Sequence, residues 1–185
     1  MDVLRRLSIA KKIYLIPLIG TFSFIIYLIL ASNTALNNVS TLEQTRDVQF
    51  PVLQSAQSSL VLLERVKDSL ASAVTTGDEE ALKGAANFSK LFGQDLARIA
   101  ELNRDYTSAI GQVQQSYDAY YQVAYQMSQQ MINNTADFST LAQRSEKMNA
   151  DYDSTARLLS QFRDQRLQQF TASIDDASEQ AGTLI

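Results

Sequence analysis

Apolar side chains recur at intervals of three and four residues along most of the chain, and no segment alternates apolar and polar residues over the length of a strand. This spacing places apolar side chains on one face of an α-helix, whereas a half-buried strand needs strict alternation. The clearest series is Ile110, Val113, Tyr117, Tyr120, Ala124, Met127 and Met131. The pattern therefore predicts an all-α protein whose helices pack through heptad-like seams.

Three polar interruptions divide this pattern into four predicted helices. TTGDEE (75–80) contains Gly77 as a helix stop and Thr76 or Asp78 as the next cap, NRDYT (103–107) is a weaker break, and NNTADFS (133–139) is a turn. The predicted helices run from the apolar N-terminal segment to about residue 75, and then over about 79–103, 107–132 and 139–185.

The lengths and connections of these helices predict their arrangement. Short loops make successive helices antiparallel neighbours. Because the first and last helices are much longer than the two between them, we expect an antiparallel up-down-up-down four-helix bundle whose long first and fourth helices continue as a stalk. Pro51 lies within the first helix and predicts a kink there, because an interior proline removes a backbone hydrogen bond.

The first helix also carries more apolar surface than one seam requires. Its predicted seam is Leu53, Ala56, Leu60, Leu63, Lys67, Leu70 and Val74. Val52, Val61, Leu62 and Val66 lie beside this seam and widen the apolar face. A second apolar surface needs a cover, so we expect a homodimer that packs through the first helices.

The most apolar stretch of the chain is residues 13–31, which contain no charged side chain. Its length is close to the ~20 residues that a helix needs to cross a bilayer. A cleaved signal peptide is one alternative, but its apolar core usually has ~7–15 residues. A buried core helix is another, but it would show a polar face. The stretch therefore favours one transmembrane helix over residues 13–32, ahead of the bundle.

The distribution of charge predicts how this helix is oriented. Arg5, Arg6, Lys11 and Lys12 precede it, and no basic residue follows until Arg46. The positive-inside rule then places residues 1–12 in the cytoplasm and residues 33–185 outside, which in a bacterium is the periplasm. The long outer part is acidic, which argues against nucleic acid as a partner.

The composition excludes several kinds of chemistry. The chain has no Cys and no His, which rules out thiol nucleophiles, disulfides and zinc–thiolate sites, and removes the usual general base and the commonest metal ligand. It shows no glycine-rich phosphate loop, pair of catalytic carboxylates or metal-binding cluster. We therefore expect no enzyme activity, no catalytic residues, no metal and no cofactor.

Several segments together resemble bacterial methyl-accepting chemotaxis proteins: KIYLIPLIGTFSFIIYLIL, RDVQFPVLQ, TTGDEEAL and YDAYYQVAYQMSQQMINNTADFS. The similarity lies in the transmembrane helix and the periplasmic four-helix-bundle sensory region of these receptors. It implies an inner-membrane input region that binds a small periplasmic solute, or a solute-binding protein, and transmits by displacement of the fourth helix.

The resemblance identifies the input better than the output. The same module also precedes diguanylate cyclase and histidine kinase domains, and a membrane-anchored helical spacer without a ligand is a further alternative. Members of the family continue into a second span, a HAMP linker and a long cytoplasmic coiled coil, whereas this sequence stops at EQAGTLI. We therefore expect it to be the excised sensory region of a longer receptor, or a truncated product.

Lys67 is the main candidate for ligand binding, because a lysine at a seam position must be paired, hydrated or bound to an anion. Tyr121 and Tyr125 fall at a similar depth in the bundle, as does Met148, while Tyr117 and Tyr120 lie on the seam itself. These residues predict a site for a small amino acid or organic acid.

Three questions about this site stay open from the sequence. The lysine can instead extend to water or to an acid such as Asp151, and the tyrosines can be plain bundle core. In the receptors that the chain resembles, arginines of the first helix hold ligands between two subunits. Arg65 is the candidate that this resemblance implies, so the sequence leaves binding within one bundle and binding between two both open.

Overall fold

The computed structural model describes residues 9–182, and within this range every element is helical, which confirms the all-α prediction. Residues 1–8 of the predicted N-terminal tail and residues 183–185 of the last predicted helix lie outside the described residues. The chain divides into two compact units. The described part of one unit consists of residues 9–44 and 173–182, and the other unit is residues 45–172.

The helices follow one another with little intervening chain. They are α1 (Ile9–Gln44), a π-helical turn (Thr45–Gln49), α2 (Phe50–Thr76), α3 (Glu79–Leu102), a 3-10 turn (Arg104–Tyr106), α4 (Thr107–Ile132) and α5 (Phe138–Gly182).

The structure confirms the three predicted breaks, and local capping explains the first and the third. Gly77 adopts a left-handed conformation with φ of 67°, which a glycine reaches without a steric penalty, and ends α2. Asp78 then caps α3 by accepting a hydrogen bond of 2.8 Å from the backbone N–H of Glu80. Asp137 caps α5 in the same way, accepting a bond of 3.0 Å from the N–H of Ser139.

Residues 45–50 interrupt the first predicted helix close to the kink that was expected at Pro51. The chain widens into a π-helical turn over Thr45–Gln49, and Pro51 follows in the first turn of α2. A proline ring clashes with the carbonyl four residues earlier, which here belongs to Asp47. A wider turn moves that carbonyl away, so the irregularity expected at Pro51 is located in the turn before it.

Four helices contribute to one core in residues 45–172. Its fully or almost fully buried members include Leu63 and Val66 from α2, Phe92, Leu96 and Ile99 from α3, Val113, Tyr117 and Tyr120 from α4, and Leu159 and Phe162 from α5. Within this core the hydroxyl of Thr155 is 2.8 Å from the carbonyl of Asp151 and 3.0 Å from the hydroxyl of Ser116, which links α5 to α4. The seam predicted for α4 is thus confirmed, with Met131 half-buried at its end.

The seam predicted for α2 is wrong by one position over part of its length. The buried stripe is Val52, Ala56, Ser59, Leu63, Val66, Leu70 and Ala73, so Val52 and Val66 belong to the core while Lys67 is exposed. Both stripes have heptad spacing, because apolar residues occupy adjacent positions on this helix. Of the four residues assigned to a second surface, only Val61 is exposed and Leu62 is half-buried.

No helix among the described residues combines the length and the hydropathy needed to cross a bilayer, so the transmembrane helix expected over residues 13–32 is not supported by this finding. In the same stretch, the apolar side chains of α1 are exposed in the single chain. Leu18, Phe22 and Ile29 are 69%, 66% and 62% exposed, respectively.

Candidate functional site

A cavity of about 360 Å³ lies between α2, α4 and α5 in the unit of residues 45–172. Its walls are Lys67, Leu70, Ala71, Val74, Thr75, Tyr120, Ala124, Met127, Ser128, Met131, Leu141 and Met148. Small-molecule sites in proteins typically have volumes of about 300–1,000 Å³ and are mostly apolar with a few polar groups. This space, named here the α2–α4–α5 cavity, has the size and the lining of such a site.

Helical periodicity brings these side chains to one place. Lys67, Leu70, Ala71 and Val74 follow the i, i+3, i+4, i+7 spacing of a single face of α2. The series from Tyr120 through Ala124 to Met131 does the same on α4, and Leu141 and Met148 are two turns apart on α5. The cavity is therefore a place where three helix faces meet and their side chains leave space between them.

Lys67 is the only charged residue in this lining. Its Nζ atom lies 4.4 Å from the ring centroid of Tyr152, and none of the ion pairs formed by the described residues includes it. Asp151, the acid considered as its partner, instead pairs with Lys147 at 2.6 Å. A cation over an aromatic face at an exposed site gains only about 0.5–1 kcal/mol, so the ammonium stays open to a stronger anionic partner.

A series of aromatic contacts runs from Lys67 into the core. The Tyr152 ring meets the Tyr120 ring edge-on at 5.3 Å, and Tyr120 lies 6.2 Å from Tyr117. Tyr117 in turn stacks on Phe92 of α3 at 4.0 Å. A molecule in the cavity would thus contact Tyr120, which is connected through Tyr117 to Phe92 of α3.

The buried tyrosines act as neutral groups. Burial raises the pKa of Tyr117 and Tyr120 well above the usual value of 10.0, because the phenolate would lose its hydration. Burial also raises the pKa of Tyr152, with further contributions from the negative charges of Glu64 and Asp68. At neutral pH these rings offer aromatic surface and hydroxyl groups, and no charge.

Tyr117 is part of the core and lies away from the cavity lining. Its hydroxyl is buried without a hydrogen bond of good geometry, although Ser89 lies near enough to lower its pKa slightly against the effect of burial. Tyr121 stacks nearly parallel to Tyr117 at 5.7 Å and is half-buried. Tyr117 therefore packs behind Tyr120, and Tyr121 packs against Tyr117.

The remaining two candidates lie elsewhere. Tyr125 lines a separate cavity of about 170 Å³ together with Glu79, Lys83 and Gln129. Arg65 is exposed, with its guanidinium carbon 5.5 Å above the ring of Phe88 on α3. Of the six candidate residues, the structure thus brings only Lys67 and Tyr120 to the α2–α4–α5 cavity.

Sequence reasoning missed most of the apolar lining. The sequence pattern places Met127 and Met131 on the seam of α4, and it gives no signal that Leu141 or Tyr152 lies at a binding site. One signal was present: apart from Met1, every methionine of the chain lines this cavity, namely Met127, Met131 and Met148. Among the described residues no group of acidic, histidine or cysteine side chains is arranged to hold a metal ion.

Comparisons of this chain with protein-family models, with curated proteins and with solved structures found no match. The resemblance to chemotaxis receptors is therefore a hypothesis that depends on the quoted segments alone. The functional argument depends on the cavity and on the residues around it.

Proposed function

We propose that residues 45–172 are a sensory input module that binds a small solute in the α2–α4–α5 cavity. The observation that carries this proposal is the cavity itself, a largely apolar space of about 360 Å³ with Lys67 as its one charged lining residue. A site with one oriented charge and an apolar wall can hold a small molecule in a defined direction.

The proposed architecture is an antiparallel up-down-up-down four-helix bundle made of α2, α3, α4 and the first part of α5. Its support is the shared core together with the short connections between successive helices. Because the lining comes from α2, α4 and α5, a ligand contacts three helices at once. Preferential binding to one of two packings would displace α5 relative to α2, and packed helices have few discrete arrangements.

We further propose that this module belongs to a bacterial chemotaxis receptor in the inner membrane, with residues 45–172 in the periplasm. The support is the quoted resemblance, the basic N-terminal segment and the exposed apolar side chains of α1. Diguanylate cyclases and histidine kinases are the alternative outputs. The homodimer through the first helices stays in this proposal, now supported only by exposed side chains of α2 such as Phe50 and Val61.

A thermal-shift screen of the full chain tests the binding function. The panel contains amino acids, dicarboxylic acids, apolar carboxylates, amines and alcohols. At least one compound should raise the melting temperature, and Lys67→Ala and Ala71→Phe should abolish that rise, because the first removes the lining charge and the second fills the cavity from α2.

Lys90→Ala is the matched control, since Lys90 is an exposed lysine of α3 outside the cavity lining. This variant should respond to the ligand as the wild type does. If no compound of any class changes the melting temperature, the sensory proposal fails and the spacer alternative is favoured.

A further inference from the structure

We infer that the ligand of the α2–α4–α5 cavity is an apolar monocarboxylate, a compound with one carboxylate head and a hydrocarbon body. This inference depends on the proposed function, since it names the ligand class of the same site. It also separates two classes, amino acids and organic acids, that the sequence left together.

The lining is suited to hydrocarbon. Leu70, Val74 and Leu141 supply aliphatic surface from two helices. Polar groups are few in the lining, and the hydroxyl of Thr75 already donates to the carbonyl of Ala71 at 2.8 Å. A polar ligand body would lose its hydration in this space and find few partners in return.

The three methionines strengthen this argument. Met127, Met131 and Met148 come from two helices and meet at the same cavity, although methionine is rare in this chain. Methionine side chains are unbranched and polarizable, so they adapt to apolar bodies of different shapes. A wall of this kind binds hydrocarbon more readily than it binds groups that need directed hydrogen bonds.

The charges specify the head group. Lys67 offers a single ammonium at the lining, whereas no acidic residue lines the cavity. The ammonium group of an α-amino acid would therefore have no anionic partner inside, which disfavours amino acids. Glu64 and Asp68 lie close enough to raise the pKa of Tyr152 but do not line the cavity. A second carboxylate would likewise have no cationic partner, because Lys67 is the only charged residue of the lining. A ligand with one carboxylate on Lys67 and no ammonium group satisfies both conditions.

Isothermal titration of the full chain with a matched series of compounds tests this inference. The series is butanoate, hexanoate and octanoate, with hexanol and hexylamine as head-group controls and with glutamate and succinate as polar controls. Affinity should rise by about threefold to fourfold for each added methylene. Hexanoate should bind at least tenfold more tightly than hexanol, hexylamine, glutamate or succinate.

Two variants show whether binding occurs in the cavity. Lys67→Ala should weaken hexanoate binding at least tenfold while leaving hexanol unchanged, and Ala71→Phe should abolish the binding of both. Because the chain has no tryptophan, its intrinsic fluorescence comes from tyrosine, and hexanoate should change this emission through Tyr120 and Tyr152. Lys67→Arg keeps the charge and should retain most of the affinity.

The outcomes separate the two proposals. If hexanol binds as tightly as hexanoate, or if glutamate or succinate binds more tightly in a manner that Ala71→Phe abolishes, the ligand class is wrong and the sensory site stands. If hexanoate binds equally to the wild type and to both variants, it binds elsewhere, and the inference is overturned. If nothing in the broader screen or in this series binds, the sensory function fails as well.

Discussion

Three cations in the unit of residues 45–172 lie over aromatic rings, and two of them, Arg166 and Lys67, have surroundings that differ. The guanidinium carbon of Arg166 is 4.6 Å from the ring centroid of Tyr106 and 5.4 Å from that of Phe162. Those two rings also meet edge-on at 5.4 Å, and the Nε of Arg166 is buried without a hydrogen-bond partner. Lys67 lies over one ring, that of Tyr152, and its side chain is exposed beside a cavity.

This difference separates a structural cation from one that is available to a ligand. Arg166 is enclosed by two rings, so its side chain fills space and its contacts stabilise the packing between α5 and the 3-10 turn. Lys67 touches one ring and borders open volume, so its removal leaves the packing largely intact. The contact between a cation and a ring therefore stabilises the packing at Arg166, whereas at Lys67 it leaves the cation available to a ligand.

The largest expected effect comes from removing a ring at the Arg166 contact. Phe162 is 5% exposed, and truncating a buried phenylalanine to alanine usually costs about 3–5 kcal/mol. Phe162→Ala should therefore lower the free energy of unfolding by about that amount in urea denaturation. Phe138→Ala is the control, since Phe138 is also on α5 but 74% exposed, and its effect should be small. Similar losses in both variants would contradict the packing described here.

Alkaline pH should lower the free energy of unfolding, because Tyr117 and Tyr120 are buried. Well below pH 10 Tyr117 and Tyr120 carry their protons in both the folded and the unfolded chain, so their titration does not change the free energy of unfolding. Because burial raises the pKa of both above 10.0, the unfolded chain releases these protons first as the pH rises. The free energy of unfolding should then fall by up to about 1.4 kcal/mol per pH unit for each tyrosine.

Denaturation curves between pH 8 and pH 11.5 would measure this slope. The double variant Tyr117→Phe/Tyr120→Phe should flatten it, since phenylalanine does not titrate. A slope that is equally steep in the double variant would show that other groups cause the alkaline loss.

The smallest expected losses of stability come from replacing Arg166 and Lys67 by alanine. Arg166→Ala should cost about 1–2 kcal/mol, because it removes a partly desolvated cation and the stem that packs on two rings. Lys67→Ala should cost about 0.5–1 kcal/mol or less, as expected for an exposed cation on one ring. Thermal and urea denaturation of both variants, each compared with Lys90→Ala, would measure the difference. An equal or larger loss in Lys67→Ala would assign that lysine a structural role.

Most of the secondary structure was predictable because its signals are local. Gly77, Asp78 and Asp137 act through their own backbone conformation or through hydrogen bonds two residues away, so their neighbours in sequence are enough to identify them. The π-helical turn was less accessible. Pro51 predicts an irregularity in the helix, but the backbone departs from α-helical geometry in the preceding turn, which contains the carbonyl of Asp47.

The candidate site was predictable only in part. The heptad pattern predicts Lys67 at a seam position, whereas the structure exposes it beside the core and in the cavity lining. Tyr125 shares its sequence depth but lines another cavity, because it follows Tyr120 by five residues and so points about 140° around the helix axis from it. Depth along a bundle can be counted from the loops, whereas the direction of a side chain depends on how each helix is rotated.

The sequence by itself determined the helical class, the helix ends and the exclusion of thiol and imidazole chemistry, because these depend on residue type and on short-range backbone preferences. Only the tertiary structure decided which of two adjacent apolar stripes on α2 is buried. Leu63 fits either stripe, and packing against the neighbouring helices selects Val66 over Lys67 as the next core position. That rotation turns Lys67 toward Tyr152 and the cavity, and it is a property of four helices packed together rather than of any one segment.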